Sequence, residues 1–546
     1  MTILAIFPKC DESSNFSSPW NGMINAFEHL GIRLHVMAGS DIVGDNMTKV
    51  RSSSTEKHII NRIAELQPSV IISINNHGMT KSVRDYITAP VIKWLFDDVE
   101  HYFVHESFKD WQDSFDPRDL VVCYNSELRR KIEDGCPQLR KKPVFLPHAT
   151  SVDLANAIAP DPKHNISFIG SYLDVSPALK LLQHFGANGN RGPLAIENIT
   201  KDLIVDHQLD IRKALTNYDL ADKVEQIGMR PDDFKRILSD LITSRDRLET
   251  VVSLRDLGIA VFGNKDWITP LMLLQGAEKV FQYDGRLNTQ VELLKAYQSS
   301  RITIDTPNIQ NRKAIGGRVV EAMASNTLLI TKRQEDSDLY RIFGDDCPVL
   351  TYRDLPHLHE LCKYYLDHPD ERLEIVARCN SLVSQGFDYK DRIISVLGMI
   401  GLHAPTARLR VQATIDRLPV DVSHGASYHA AQQAIASAAS EGDFGEAAPV
   451  GFLARVLAGF RIILGLRGGT RSAKSPSRKH LKALKRLTRE EKRLYAIVSQ
   501  RYICLEFDRE AYLSRNPDVA REGVDPVFHF VKFGRHEGRE PTFSIM

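Results

Sequence analysis

The 546-residue sequence lacks any run of about eighteen consecutive apolar residues, so no ordinary helix in it could cross a bilayer. It also lacks cysteine pairs. The seven cysteines are scattered, odd in number and include no Cys-x-x-Cys, which is the usage of reduced thiols in a cytoplasmic protein. A secretory leader is not expected, because the apolar run in MTILAIFPKC is too short and no small-residue cleavage site follows it. Charge of one sign is missing as well: 70 Lys and Arg stand against 69 Asp and Glu, and the net +1 points to no class of partner. That balance hides one asymmetry, since between Arg455 and Arg493 thirteen Lys or Arg face only Glu490 and Glu491. With 43% hydrophobic and 25% charged residues the composition is that of an ordinary soluble protein. The length suits three or four domains, each able to bury its own core.

What is present is a repeated alternation of apolar runs with amphipathic stretches. Residues 1–160 read as one α/β domain: ILAIF, Arg33–Met37, Ser69–Ile74, VIKWLF, DLVVCYNS and KPVFLPHAT are strands, with helices around Trp20–Leu30 and Lys57–Leu66. A second α/β domain over 161–400 opens with ISFIG, takes a polar helical insertion at about 175–250, and resumes with GIAVFGNKDW, VFQYDGRL, RITID and TLLIT. Strands alternating with helices predict parallel sheets with functional loops at the strands' C-terminal ends. Residues 401–450, rich in Ala, Ser and Gly, read as a linker with broken helices. A basic amphipathic helical segment (451–500) and a small helical tail module (501–546) complete the chain.

The stretch from Arg301 is the most specific. RITID is a buried strand, a polar loop ends in Gly316-Gly317, RVVEAMA is a short helix and TLLIT a second strand. Glu321 sits one turn after the glycine pair and on the face of Arg318 by i,i+3 spacing. A carboxylate acceptor and a guanidinium beside a helix start suit a ribose and a diphosphate. A surface ion pair on the helix's first turn is the other reading of the same spacing.

Five blocks in order over residues 254–396 carry a family resemblance: LGIAVFGNKDW, YDGRL, ELLKAYQSSRITID, GGRVVEAMASNTLLIT and VLTYRDLPHL. The stretch resembles the CgeB-like (spore maturation protein) group of bacterial glycosyltransferases, and VIKWLFDDVEHY and FLPHAT match it more loosely. The resemblance implies a GT-B fold, two Rossmann-like domains facing a cleft. It implies transfer of a sugar from a nucleotide-activated donor held mainly by the second domain, with the nucleotide-sugar a substrate rather than a cofactor and no metal needed. By that resemblance Glu321 accepts hydrogen bonds from ribose hydroxyls, and Gly170, Ser171 and Tyr172 lie near the diphosphate, where a turn without bulk lets backbone N–H groups approach. Arg318 neutralises charge on the leaving diphosphate, with Arg312 and Lys313 as further candidates. One departure stands out. Many GT-B enzymes have a second glutamate eight positions earlier, against the donor sugar, and Lys313 occupies that position here. Either Lys313 grips phosphate, donor contacts differ, or donor chemistry has been lost.

Gly263-Asn264-Lys265-Asp266-Trp267 follows a strand and could flank the donor, Lys265 included, or be an ordinary turn. Arg286, in Tyr283-Asp284-Gly285-Arg286, is a further phosphate candidate. In the first domain, which the resemblance makes the acceptor side, His77 follows Asn75-Asn76, and Asp97-Asp98 ends the next strand. Either could serve as general base toward an acceptor hydroxyl. Asp98 could instead cap a helix, and adjacent aspartates are not the spacing of a metal-binding Asp-x-Asp pair. His148 reads as a hinge-side or structural histidine.

The tail has the pattern YLxxNPDV…GVDPxxHFxxFGxxEGRxP, which resembles modules of bacterial surface-polysaccharide proteins. Phe528, Phe530 and Phe533 suit a small core more than a sugar-stacking platform. Phe452, Val456, Phe460 and Ile463 fall on one face of a helix broken by arginines, which suits either an anionic membrane surface or packing on the enzyme body with the Lys-rich part solvated. No nucleic-acid module accompanies this charge. The expectation is therefore a bacterial, cytoplasm-facing glycosyltransferase acting on a glycan, lipid-carrier or protein acceptor. A sugar-nucleotide 2-epimerase and a non-catalytic glycan-assembly scaffold are the alternatives.

Overall fold

The computed structural model describes residues 1–10, 18–40, 53–97, 115–186, 191–207, 209–267, 287, 289–311, 313–405, 410–417, 505–507, 509–522, 524–534, 537 and 543–545. The chain divides into two compact units. Met1–Ile169 with Leu287–Ala430 form the first, and Gly170–Arg286 with Ala431–Met546 the second.

The first unit holds two parallel sheets. Strands β1 (Thr2–Cys10), β2 (Arg33–Ser40), β3 (Val70–Ile74), β4 (Val91–Leu95), β5 (Leu120–Cys123) and β6 (Val144–Phe145) belong to the first sheet, and β7 (His164–Ile169) opens the other. After β8 (Ile259–Phe262), a strand of the second unit, come β9 (Ser300–Asp305), β10 (Leu328–Lys332), β11 (Leu350–Tyr352) and β12 (Thr414–Arg417). The first sheet runs β12-β2-β1-β3-β4-β5-β6, parallel throughout. Within this unit the other sheet runs β11-β10-β9-β7, again parallel. The two-sheet α/β architecture expected from the sequence is the one the chain adopts.

The apolar runs are continuous because both faces of each sheet are covered. In β1, Ile3, Ala5 and Phe7 pack with Trp20, Met23 and Phe27 of the helix Ser18–His29, while Leu4 and Ile6 pack with Ile59 and Ile63 of the helix Ser53–Leu66. The helix Tyr389–Met399 returns from the other sheet to this core, adding Tyr389, Ile393, Val396 and Leu397. Where the chain passes between the sheets, Thr150 and Asp388 form a parallel bridge. The Asp388 carboxylate accepts from the N–H groups of Val152 (3.0 Å) and Lys390 (2.7 Å), so one side chain holds both crossings.

The expected linker at 401–450 needs correcting where it is described. Thr414–Arg417 is no broken helix but a strand paired with β2. The buried carboxylate of Glu28 draws this segment in, accepting from Arg410 (2.7 Å) and from the Ala413 N–H (3.0 Å), while Asp416 pairs with Arg62 (2.7 Å). The remainder of 401–450, and the basic segment, lie outside the described residues.

The second unit carries the helical insertion: Ser176–Gly186, Arg191–Val205, Ile211–Asn217, Ala221–Gln226 and the 23-residue helix Pro231–Ser253. In the tail, helices Arg509–Arg515, Pro517–Glu522 and Pro526–His529 accompany the antiparallel pair β13 (Leu505–Phe507) and β14 (Phe543–Ile545). Asp525 caps the third helix by accepting from Phe528 N–H (2.8 Å). Tyr512, Val519 and Val527 are buried, with the Tyr512 hydroxyl 3.2 Å from His529 Nδ1. Phe530 lies edge-on to Tyr512 and Phe528 edge-on to Phe533, as a small core requires, although Phe533 remains 46% exposed. No described helix is long and apolar enough to cross a membrane.

Candidate functional site

In the first unit the loop after β9 leads into the helix Gly317–Ala324. Gly316 stands at its N-cap and supplies no side-chain cap. The N–H groups of Gly317 and Arg318 have no acceptor among the described residues, and nothing lies within 4 Å of where a Gly316 Cβ would be. A helix start with free N–H groups and no shielding side chain is a site for an anion.

Glu321 lies one turn further on and is only 4% exposed, so the surface setting of the ion-pair reading does not apply to it. Its charge reaches the buried Tyr297 and Tyr389, whose phenols are pushed up by burial first and by this carboxylate second. Arg318 ties together the C-terminal ends of two strands, donating to the Ile169 carbonyl (3.0 Å) and lying 3.7 Å from Asp305. Its guanidinium is thereby partly committed to the fold. The Lys313 ammonium, by contrast, has no partner among the described residues. Arg312 lies outside them.

The first sheet's strand ends carry the residues expected on the acceptor side. Asn75, Asn76 and Gly78 all have positive φ, so the Asn-Asn-His-Gly turn is left-handed, a conformation asparagine and glycine tolerate best. That turn aims the Asn75 side chain at β4, where Oδ1 accepts from Phe96 N–H (2.6 Å) and Nδ2 donates to Asp97 (3.3 Å). Asp97 is thus held at the strand end, while Asp98 lies outside the described residues. His77 is buried, its Nδ1 has no hydrogen-bond partner, and burial lowers its pKa to about 3. Burial disfavours the imidazolium that a general base must become, and it also shields His77 from an acceptor hydroxyl.

His148 is the histidine expected on the hinge side. It lies two positions before the Thr150 crossing, yet its ring packs between Phe96 (5.3 Å) and Tyr124 (5.1 Å). Its Cγ is 4.0 Å from the position a Gly317 Cβ would occupy. Its Nδ1 is buried without a partner, and burial lowers its pKa to about 4, so a neutral imidazole from the first sheet stands beside the open helix start. The FLPHAT turn shows a histidine after a strand, but its neighbour Gly317 lies too far along the chain for spacing to reveal the contact.

A small, open pocket lies at the ends of β9, β10 and β11, walled by Asp305, Pro307, Val319, Thr331, Ser337 and Tyr340 among others. Neither Glu321 nor Lys313 is part of its wall.

In the second unit the turn Gly170–Leu173 is tied down along its length. Trp267 Nε1 donates to the Gly170 carbonyl (2.7 Å), Arg247 donates to that of Ser171, and Asn264 both accepts from Tyr172 N–H (2.8 Å) and donates to its carbonyl (2.9 Å). Gly170 N–H is committed to the Phe262 carbonyl (2.9 Å). Of the three residues expected at a diphosphate, only Ser171 keeps an N–H with no acceptor among the described residues. Trp267 is fully buried, so Gly263–Trp267 is a clamp on this turn rather than a stacking surface, and Lys265 is exposed without an ion pair among the described residues. Arg286 lies outside the described residues. Arg247 is a residue that the sequence did not single out, one arginine among several on an amphipathic helix.

Gly263 makes the clamp possible. A Cβ there would sit 2.4 Å from the Gly170 carbonyl and 2.6 Å from Trp267 Cδ1. Gly263→Ala is expected to destabilise the protein by about 1–3 kcal/mol, the range for overpacking a tight site, read as a shift in the urea midpoint. An unchanged midpoint would show that the clamp yields freely.

Comparison with known proteins adds the following. Residues 243–398 match a protein family described as glycosyl transferase-like. No curated protein matches the chain. Among solved structures, a glycosyltransferase from Rickettsia africae shares 12% identity at a TM-score of 0.42, with 73% of this chain and 97% of that one covered. HepE of Anabaena, solved in complex with UDP, shares 10% at 0.42 over 73% and 100% of the two chains. Sucrose-phosphate synthase of Thermosynechococcus elongatus shares 10% at 0.43 over 73% and 98%. These likenesses are loose, and the family match is the specific one. It covers β9, the glycine pair, Glu321 and the helix from Tyr389 as far as residue 398, and so makes residues 243–398 similar to that glycosyl transferase-like family.

Proposed function

We propose that this protein transfers a sugar from a nucleotide-sugar donor to a glycan, lipid-carrier or protein acceptor in bacterial surface-glycan synthesis, in the manner of the CgeB-like group. The observation that carries the reading is the open start of the helix Gly317–Ala324, whose Gly317 and Arg318 N–H groups have no acceptor among the described residues, with the buried Glu321 one turn behind, inside the matched segment. The helix start takes the diphosphate, Glu321 the ribose, and Lys313 further phosphate charge. Asp97 takes the proton of the acceptor hydroxyl as the new glycosidic bond forms and the nucleoside diphosphate leaves. The test is calorimetric titration with UDP, GDP, dTDP and CMP, followed by product analysis with the sugar form of whichever binds. Selective binding followed by sugar transfer supports the reading, and no binding by folded protein overturns it.

Lys313 favours one second reading, a binding scaffold without turnover, which would bind a nucleotide and transfer nothing. The basic residues 451–493, outside the described residues, belong to the proposal as a contact with anionic membrane. Deleting them is expected to abolish flotation with anionic vesicles, and unchanged flotation would remove that part.

A further inference from the structure

The loop between β9 and the helix Gly317–Ala324 is fastened to the first sheet's half of the unit. The Tyr124 hydroxyl donates to Asn311 Oδ1 (2.5 Å), and Ala314 packs against the cluster containing Leu95, Val121, Tyr124 and Leu128. A third connection runs through Asp338. Its backbone N–H donates to the Lys313 carbonyl (2.7 Å), an oxygen that also accepts from Ser337 Oγ (3.2 Å). Its carboxylate accepts from the backbone N–H of Ser126 (3.0 Å), 212 residues away in sequence.

Ser126 is the first residue of the helix Ser126–Gly135, so the carboxylate stands at that helix's positive end. The side chain is not needed to cap its own helix Asp338–Phe343, because Ser337 already does so, accepting from Leu339 N–H. Nor is the position a comfortable one. Asp338 is 1% exposed, and its second carboxylate oxygen has no hydrogen-bond partner among the described residues and only Arg341, at 4.0 Å, as an ion pair, an arrangement that costs stability. One residue thus touches the first half with its side chain and Lys313 with its backbone.

We infer that Asp338 is a positioning residue, which sets Lys313 for the donor phosphate according to where the Ser126 helix start stands. This rests on the reading of Lys313 as a phosphate group. Donor affinity then depends on a hydrogen bond that touches no ligand, and movement of the first half is felt at the donor site.

Ser126→Pro tests this cleanly. It deletes the one N–H that Asp338 accepts, at the helix position where proline is best tolerated. The preceding Asn125 already has the extended conformation (φ −135, ψ 159) that a following proline requires. Ser126→Ala, which keeps the N–H, is the control, and thermal midpoints check that both variants are folded. The probe is whichever of UDP, GDP or dTDP the wild type binds best, titrated calorimetrically. Ser126→Pro is expected to bind it about three- to tenfold more weakly than Ser126→Ala, and in a Lys313→Ala background the two should bind alike, as coupled sites do. Asp338→Asn, which keeps the backbone bond to Lys313, is expected to fall between. If Lys313→Ala weakens binding while Ser126→Pro matches Ser126→Ala, the positioning role is overturned and the donor site stands. Additive losses in the double variant would overturn it as well. If the wild type binds none of the three, the donor-site reading falls and this inference with it.

Discussion

Glu321→Ala is expected to weaken binding of the cognate nucleoside diphosphate about 10- to 150-fold, corresponding to the roughly 1.5–3 kcal/mol of a hydrogen bond to a charged group. The size follows from the setting. Glu321 is 4% exposed, so a ribose hydroxyl that reaches it bonds to a carboxylate with little competing water. A carboxylate also offers a separate oxygen to each of two hydroxyls, whereas a glutamine amide has one oxygen and a donor nitrogen in place of the other. Glu321→Gln keeps the shape and one acceptor oxygen and should fall between the wild type and the alanine variant. Because the residue is buried, circular dichroism and a thermal midpoint must accompany the titration. Equal affinity in a folded Glu321→Ala protein would remove this residue from the donor site. The scaffold reading predicts the same loss of affinity, so only product analysis separates it from the transferase.

Asp119→Ala is expected to cost about 3–5 kcal/mol of stability, the range for breaking a buried ion pair by removing one partner. Asp119 and Lys93 are fully buried and Arg84 is 3% exposed. Arg84 Nε lies 2.8 Å from one carboxylate oxygen of Asp119 and Lys93 Nζ lies 3.4 Å from the other, with the Lys93 ammonium also 4.1 Å from the centre of the Phe115 ring. Arg84 retains Asp116 at 3.3 Å when Asp119 is gone, whereas the fully buried Lys93 loses its 3.4 Å carboxylate. A domain stable by only about 5–15 kcal/mol feels such a change strongly in a urea titration. A loss below about 1 kcal/mol would mean that water enters and solvates both cations.

The same cluster gives a signed pH dependence. Burial lowers the Lys93 pKa to about 8, against the opposing pull of Asp119. Between about pH 8 and the unfolded value near 10.5 the unfolded chain keeps a proton that the folded chain has released, so Lys93 makes stability rise with pH across that window. Within this same comparison, Lys93→Met should flatten the rise.

Much of the architecture was legible because it follows from local composition. Ile3–Phe7 is an unbroken apolar run and Val70–Ile74 is interrupted only by the buried Ser73, and such runs fit strands covered on both faces, hence parallel sheets with helices on either side. The glycine pair before RVVEAMA announced a bare helix start for the same local reason. The segment at 414–417 was not legible, since TIDR is too short to read as a strand until β2 and the Glu28 carboxylate are beside it. In the candidate site, residue types were legible and their availability was not. Gly170, Ser171 and Tyr172 look equivalent in sequence, yet Asn264 and the Phe262 carbonyl occupy two of the three N–H groups.

By itself, then, the sequence determined the two parallel sheets, the strand-end loops and the positions of Glu321, Lys313 and Gly316-Gly317, because periodicity and backbone freedom act between near neighbours. Only the tertiary structure decided which donors and acceptors remain free, that His148 stands against Gly317, that Lys93 shares Asp119 with Arg84, and that Asp338 joins Ser126 to Lys313. The reason is the short reach of the forces involved. A hydrogen bond or a buried ion pair is decided within about 3–4 Å, and residues separated by 212 positions come within that reach only once the chain has folded.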